Sequence, residues 1–411
     1  VAAYSTTRAL FSSYAGNLYQ VRRADGKTQD IKPVAAGDVA DASAQDAFCT
    51  TAKSCRISII YDQSGKGNHL TKAPAGSKTY GANPDSEAVA DALPVYLNGR
   101  KAYGVHITPG GWTTPGQVGY RNTATNGIAK GDDPESMYMV TDGTYVNGSC
   151  CFDFGNAEMD PLVYTSMDAI YFGTNNWWDV GAGSGPWIMA DLENGVYNHG
   201  GATTNRVHAN SSDLSLNYPY VTALLKNNKA GASGGPFTIK GGNAQTGKLS
   251  TMWDGARPDG YTSLGKAGGI VLGIGGDNSS GAQGNFYEGV ITTGFASSTT
   301  DDAVQADIVA AGYGNKTTSI SSEGGRRRFE FATSVVGSGE SLRFALPSSG
   351  RVGLEVADLR GSRIDPVVDR EFPAGTHEIS WSDRGLSKGI HVVRLTVDGV
   401  QAWSGTYLVG R

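Results

Sequence analysis

Charge is scarce in this chain: Asp, Glu, Lys and Arg make up 18% of its 411 residues, and the formal net charge is -5. Neutralising phosphates needs a basic face, and the one basic run of note is Arg326, Arg327 and Arg328. No nucleic-acid partner is therefore expected. No apolar run approaches the roughly 18 residues of a membrane-spanning helix, so no membrane span is expected either. The opening VAAYSTTRAL lacks the charged and apolar halves of a signal peptide, which reads as a mature or trimmed form. Several chemistries lack their motifs. There is no G-x-S-x-G, His69, His106, His199 and His208 show no ligand spacing, and the cysteines lack zinc-type spacing. No metal and no cofactor are expected. Stretches rich in Ala, Leu, Glu and Lys are few, which argues against a helical fold.

What is abundant is glycine, 58 residues, together with 19 Tyr and 7 Trp. Few charges, many aromatics and small polar residues suit a surface that meets a neutral ligand such as a sugar. From Ile57 to Gly294 short β-branched and aromatic runs (ISIIYD, PVYLNG, SMYMVTDG, AIYFG, WIMADLE, PFTIKGG, GIVLGIGG) alternate with Gly, Asn, Asp and Ser. Short strands at this spacing predict an all-β antiparallel sandwich or barrel. In YDQSGKGNHL, Asp62 and His69 read as turn and packing residues. One helix is expected after Ser297 or Ser298, with acids Asp301 and Asp302 in its first turn and Gly314 as its stop. Residues 1–314 form the first domain. Residues 315–328, polar and unpatterned, read as a linker. Residues 329–411 alternate apolar and polar positions and predict a second, small β-sandwich.

Two short segments carry candidate chemistry. In GPWIMADLEN, strand alternation puts Trp187, Met189, Asp191 and Glu193 on one face and Ile188, Ala190 and Leu192 on the other. Two carboxylates beside an aromatic on one strand face are costly unless that face lines a wet cleft or a ligand site; a plain solvated face is the simpler reading of a lone D-x-E. In GIVLGIGGDNSSGAQG, an apolar strand runs into a glycine-rich turn bearing Asp277. Glycines there let the backbone approach a ligand, while an Asx turn is the simpler reading of a lone Asp.

The four cysteines form two local clusters, read as two disulfides and an oxidising compartment. FCTTAKSC can close a loop between Cys49 and Cys55. That leaves Cys150 and Cys151 only each other, whereas consecutive Cα atoms about 3.8 Å apart fall short of the roughly 4.4–6.8 Å that bridges usually span.

Taken together, STTRAL, VADASAQD, IIYDQSGKGNHL, LNGRKAYGV, CCFDFGNAE, GPWIMADLEN, LSTMWDGARPD and GIGGDNSSGAQGNFYEGV resemble the catalytic domain of glycoside hydrolase family 54, the α-L-arabinofuranosidases, over nearly all of residues 1–314. The resemblance implies a concanavalin-like β-sandwich and a secreted or cell-surface, retaining, exo-acting enzyme that removes arabinofuranosyl side groups from plant cell-wall polysaccharide or arabino-oligosaccharide. It implies Glu193 as nucleophile and Asp277 as acid/base. Asp191, Asn194, Gly276 and Asn278 are implied in the sugar pocket, with Trp178 as the stacking ring beside Trp177, and a vicinal Cys150–Cys151 disulfide as its floor. The rival readings are a non-catalytic lectin-like module and a clan-related endo-β-glucanase, whose E-x-D-x-x-E strand motif is missing. The tail, through GRVGLEVADLRG, FPAGTHEISW and GLSKGIHVVRL, resembles bacterial C-terminal sorting domains, which implies export machinery as a partner; an adhesin role rests on this tail alone.

Overall fold

The computed structural model describes the chain apart from residues 52–53, 77–83, 111–116, 163–166, 202, 204–207, 233–235, 316–329, 333–340, 347–348, 359–362, 374, 381–388, 398–399 and 410–411. Two units separate, Val1–Asn315 and Lys316–Arg411. Nearly all of the expected linker lies outside the described residues.

The first unit is built around two large antiparallel sheets, with two further two-stranded pairings among the described residues. One runs in the order Ala2–Ser5, Gly284–Thr293, Glu135–Thr141, Val221–Asn227, Phe237–Asn243, Ser250–Gly255, with Val105–Ile107 also pairing with Gly284–Thr293. The other has ten strands: Val196–Tyr197, Trp187–Asp191, Asp168–Gly173, Asp153–Ala157, Gly269–Leu272, Tyr120–Asn122, Leu70–Lys72, Cys55–Ile60, Tyr19–Arg23 and Thr28–Ile31. Alternation decides what lies between them. Ile188, Ala190 and Leu192 join Phe154, Ile170, Phe172, Met139, Leu225 and Phe286 in one buried core, each large side chain there contributing about 1.5–3 kcal/mol of transfer free energy. The opposite face of the ten-stranded sheet carries Tyr171, Trp187 and Met189 in a separate cluster with Cys151 and Val196. That outer face holds the carboxylates described below, and the expected β-sandwich is the observed one.

Each expected strand run of this unit contains a strand, and Asp62 and His69 do serve a turn: Asp62 accepts the N–H groups of Ala3, Ser64 and Asn68, and its own N–H donates to His69 Nδ1. Three expectations are corrected. The helix Ser298–Ala311 begins after Ser297, whose side chain accepts the Thr300 N–H, but it stops at Gly312, in the left-handed conformation with φ 67°, rather than at Gly314. Gly314 lies beyond the cap and donates instead to the Tyr96 carbonyl. A second helix, Ala42–Phe48, capped by Asp41, is too short for its periodicity to show in sequence. The strand carrying the D-x-E pair ends at Asp191, so Glu193 leaves the sheet instead of continuing its face.

Lys316–Arg411 has sheets of three and four strands, the larger in the order Arg363–Phe372, Gly350–Asp358, Gly389–Val397, Val400–Val409. Val352, Leu354 and Val356 alternate inward along one strand, with Leu395 and Val397 on its neighbour.

Candidate active site

The site grows from three neighbouring strands and the turns that follow them. Across the outer face, Ala169 pairs with both Gly155 and Asp191. The two small residues leave the Asp191 carboxyl room above the sheet. Asp191 then organises the chain reversal after it: its Oδ1 accepts the Glu193 N–H at 2.8 Å, and the Leu192 N–H reaches the Gly195 carbonyl. Glu193 is thereby held at φ 80°, a left-handed conformation uncommon for a residue with a side chain and one that strain at functional sites often adopts.

The second turn follows Gly269–Leu272. Gly275 and Ser279 close it through a backbone hydrogen bond, and the Asp277 carboxylate accepts the Ser279 N–H at 2.7 Å, so the Asx turn expected as the simple reading is present. It does not exclude a second role, because the other carboxylate oxygen remains and the residue is half-buried at a surface. Asn278, buried and at φ 63°, anchors the turn by accepting from Arg121 Nη1 and donating to the Pro74 carbonyl.

Gly276 is where the two turns meet. A methyl group there would sit 2.6 Å from Glu193 Oε2 and collide with Glu158 Oε2. The residue after this glycine is Asp277. The same turn backs onto the cysteines: a methyl on Gly275 would lie 3.6 Å from Cys151 Cβ, and the Gly281 N–H donates to the Cys150 carbonyl. Cys150 and Cys151 are bridged to each other across a cis peptide, and Cys49 to Cys55. Asp191 Oδ2 lies 3.0 Å from Cys151 Sγ; a bridged sulfur carries no hydrogen, so this is a sulfur–oxygen contact. Trp178 packs against the cluster of Cys151, Met189 and Trp187, and its ring borders Gly195, whereas Trp177 stands 49% exposed. Asn194 is exposed at the rim. Glu193, Asp277, Asp191, Gly276, Asn278, Trp178 and the vicinal pair, dispersed in sequence, are thus gathered on one face.

Three further residues belong here that sequence reasoning passed over. Glu158, at the end of the strand Asp153–Ala157, is buried against Glu193. Burial, then the charge of Glu158, then that of Asp191, push Glu193 up to about 11. Like charges this close each disfavour the other's ionised form. Asp153 is buried beside Asp191; burial first and the charge of Asp191 second hold it well above the carboxylate range. Asp191 itself is pushed up to about 7, by burial against the opposing pull of the Glu193 N–H. Arg121 is the cation of the group. Its guanidinium donates to the carbonyls of Gly276 and Glu158, and burial lowers its pKa while the charges of Glu158, Glu193 and Asp277 pull it back. Glu158 sits inside CCFDFGNAE, but nothing in its spacing separates it from an ordinary strand-end acid. Arg121 carried no signal at all.

A carboxyl in a strained turn, a second carboxyl on a glycine turn touching it, one buried cation behind both and an aromatic-and-sulfur floor suit acid/base and nucleophilic chemistry on a neutral, polyhydroxylated substrate. Residues 1–314 match the family model described as the catalytic domain of α-L-arabinofuranosidase B. A probable α-L-arabinofuranosidase B of Aspergillus clavatus is 55% identical over 322 residues, covering 76% of this chain and 60% of that protein. The chain thus spans less than two thirds of that relative's length. Among solved structures, a Glu-to-Gln mutant of a glycoside hydrolase family 54 α-L-arabinofuranosidase soaked with 4-nitrophenyl α-L-arabinofuranoside is 43% identical, with a TM-score of 0.69 over 91% of this chain and 72% of that one. An arabinofuranosidase complexed with arabinofuranosyl-α-1,2-xylobiose is 42% identical, with a TM-score of 0.69 over 91% and 71%.

Proposed function

The chain belongs to the α-L-arabinofuranosidase B catalytic family, and on that premise we propose that it is a retaining, exo-acting α-L-arabinofuranosidase releasing arabinofuranosyl side groups from arabinan- and arabinoxylan-type polysaccharides. The observation that carries the assignment of roles is the shared wedge at Gly276, which brings the Glu193 carboxyl against the residue preceding Asp277. Retaining glycosidases need their two carboxyls about 5–5.5 Å apart on either side of the anomeric carbon.

In the first step Glu193 attacks the anomeric carbon as the glycosidic C–O bond breaks, and Asp277 donates its proton to the leaving oxygen. In the second, Asp277 takes a proton from water, which displaces Glu193 and frees arabinose. Glu193 acts as a nucleophile only when ionised, against the charge of Glu158 beside it. Arg121 stabilises the ionised Glu193 from behind. Trp178 and the Cys150–Cys151 bridge offer the sugar an apolar wall, and Asp191, Asn194, Gly276 and Asn278 surround its hydroxyls. The sugar bound to the relative with arabinofuranosyl-α-1,2-xylobiose supports a side group on a xylan backbone as substrate.

The test is hydrolysis of 4-nitrophenyl α-L-arabinofuranoside and of arabinoxylan. Glu193→Gln is expected to lower kcat by about a thousandfold or more on both. Asp277→Asn is expected to lose far more on arabinoxylan than on the aryl glycoside, whose leaving group needs little protonation. Retention of more than about a tenth of the activity in Glu193→Gln would remove it from the mechanism.

The two disulfides suit an oxidising compartment, and no helix among the described residues is long and apolar enough to cross a membrane. We assign residues 1–314 to catalysis, 329–411 to export or surface attachment, and the protein to the secreted or cell-surface fraction.

A further inference from the structure

Behind the tryptophan pair the fold gathers three residues whose sequence separations are too wide for any motif. Asp179 opens the strand Asp179–Gly181, and His208 opens His208–Asn210, which pairs with it in parallel and in the register Asp179↔His208. His199 follows the strand Val196–Tyr197. Asp179 Oδ2 lies 3.1 Å from His199 Nδ1, and its Oδ1 lies 3.5 Å from His208 Nδ1. The ligand atoms of all three fall within 4.8 Å of one another, and the two imidazoles meet edge to face with centroids 5.5 Å apart.

The carboxylate is what calls for a cation. Asp179 is fully buried, and a second buried carboxyl, Asp213, lies near enough for the charge of Asp179 to act on it. Among the described residues neither has a Lys or Arg ion pair, although buried carboxylates are costly without a cation beside them. Asp179 Oδ2 accepts the Asn198 N–H at 3.0 Å. Among the described residues its Oδ1, buried and facing His208, has no hydrogen-bond partner. The 3.5 Å separation is too long for a hydrogen bond of ordinary strength to that imidazole. It is the right length for something else: nitrogen and carboxylate oxygen bound to zinc at about 2.0–2.1 Å in tetrahedral geometry lie about 3.3 Å from each other, and the two observed distances bracket that value.

We propose that Asp179, His199 and His208 form a binding site for a divalent first-row transition cation of the Zn²⁺ class. Two imidazoles and one carboxylate select such ions over Ca²⁺ and Mg²⁺, which prefer all-oxygen shells. Both histidines are partly exposed, 19% and 28% of their side chains, so an ion has an entry path and an open coordination position. Bound there, it adds a cross-link to three segments that are also joined by the Asp179–Gly181 and His208–Asn210 pairing and by the hydrogen bonds of Asn198 and Asn210. The Trp178 carbonyl accepts the His208 N–H at 3.3 Å, which places the clip directly behind the ring facing the sugar pocket.

The test uses the full chain after chelator treatment, titrated with ZnCl₂ by calorimetry and with CoCl₂ by visible absorption. The expected result is one Zn²⁺ per chain, intense Co²⁺ bands of tetrahedral coordination, and a Tm raised by about 5 °C at saturating Zn²⁺ but not with MgCl₂. His199→Ala and His208→Ala should each weaken Zn²⁺ binding at least about tenfold; their exposure makes them tolerable to the fold, which circular dichroism checks. Absence of stoichiometric Zn²⁺ binding by the folded wild type, or wild-type affinity in both variants, overturns the proposal.

Discussion

The carboxyl of Glu193 works in crowded company. Glu158, Asp191 and Asp277 all raise the cost of its charge, while the buried Arg121 guanidinium feels the charges of Glu158, Glu193 and Asp277. The largest of these carboxylate effects is that of Glu158, whose anion disfavours a second anion beside it. Glu158→Gln removes that repulsion, so Glu193 should ionise at lower pH. The acidic limb of kcat/KM against pH is therefore expected to move down by about one unit, measured on an aryl arabinofuranoside between pH 3 and 8. An unchanged acidic limb would mean that Glu158 has no electrostatic hold on the nucleophile. This coupling was invisible in sequence for a definite reason. Alternation along GPWIMADLEN sorted Trp187, Met189 and Asp191 from Ile188, Ala190 and Leu192 correctly, because period-2 pattern reports which face a residue takes. It does not report where a strand stops, and Glu193 owes its position to a left-handed turn pinned by Asp191. Nor does it report which distant acid a turn will meet.

Among the elements, the helix Ser298–Ala311 shows how a correct local signal can conceal a tertiary one. Ser297 and the acids after it mark a helix start, and the cap forms as such signals imply. Asp301, however, is buried, and its Oδ2 meets Lys226 and Lys240 at 2.7 Å each. Those lysines lie on the adjacent strands Val221–Asn227 and Phe237–Asn243, so one carboxylate clamps the helix onto the sheet. Asp301→Asn strands two buried ammonium groups and is expected to cost about 3–5 kcal/mol. Ser297→Ala removes only a cap, at about 1 kcal/mol. Urea denaturation of both variants checks the ordering, and equal small losses would show that the clamp is solvent-screened. The strands were legible wherever Gly and Asn turns bounded apolar runs. The opening strand Ala2–Ser5, buried on both faces, has no alternation to announce it, and the helix Ala42–Phe48 is only seven residues long.

For the whole molecule, the chain divides at Asn315 into two units, next to the shift in composition after Gly314. The end of the first unit is tied back into it. The buried Tyr313 hydroxyl donates to Glu288 at 2.6 Å, Tyr313 bridges to Leu97, and the Asn315 carbonyl accepts the Gly99 N–H at 2.7 Å. Every residue assigned here to catalysis, to the sugar pocket and to the cation site precedes that point. A chain ending at Asn315 should therefore fold, keep kcat/KM on 4-nitrophenyl α-L-arabinofuranoside within about twofold, and keep its Tm, because the first unit has its own hydrophobic core and closing hydrogen bonds. In the producing cell the same truncation should reduce the exported or surface-attached fraction. Loss of specific activity in the purified truncated enzyme would show that the sandwich depends on residues beyond Asn315. Unimpaired export would take from Lys316–Arg411 the role assigned to it.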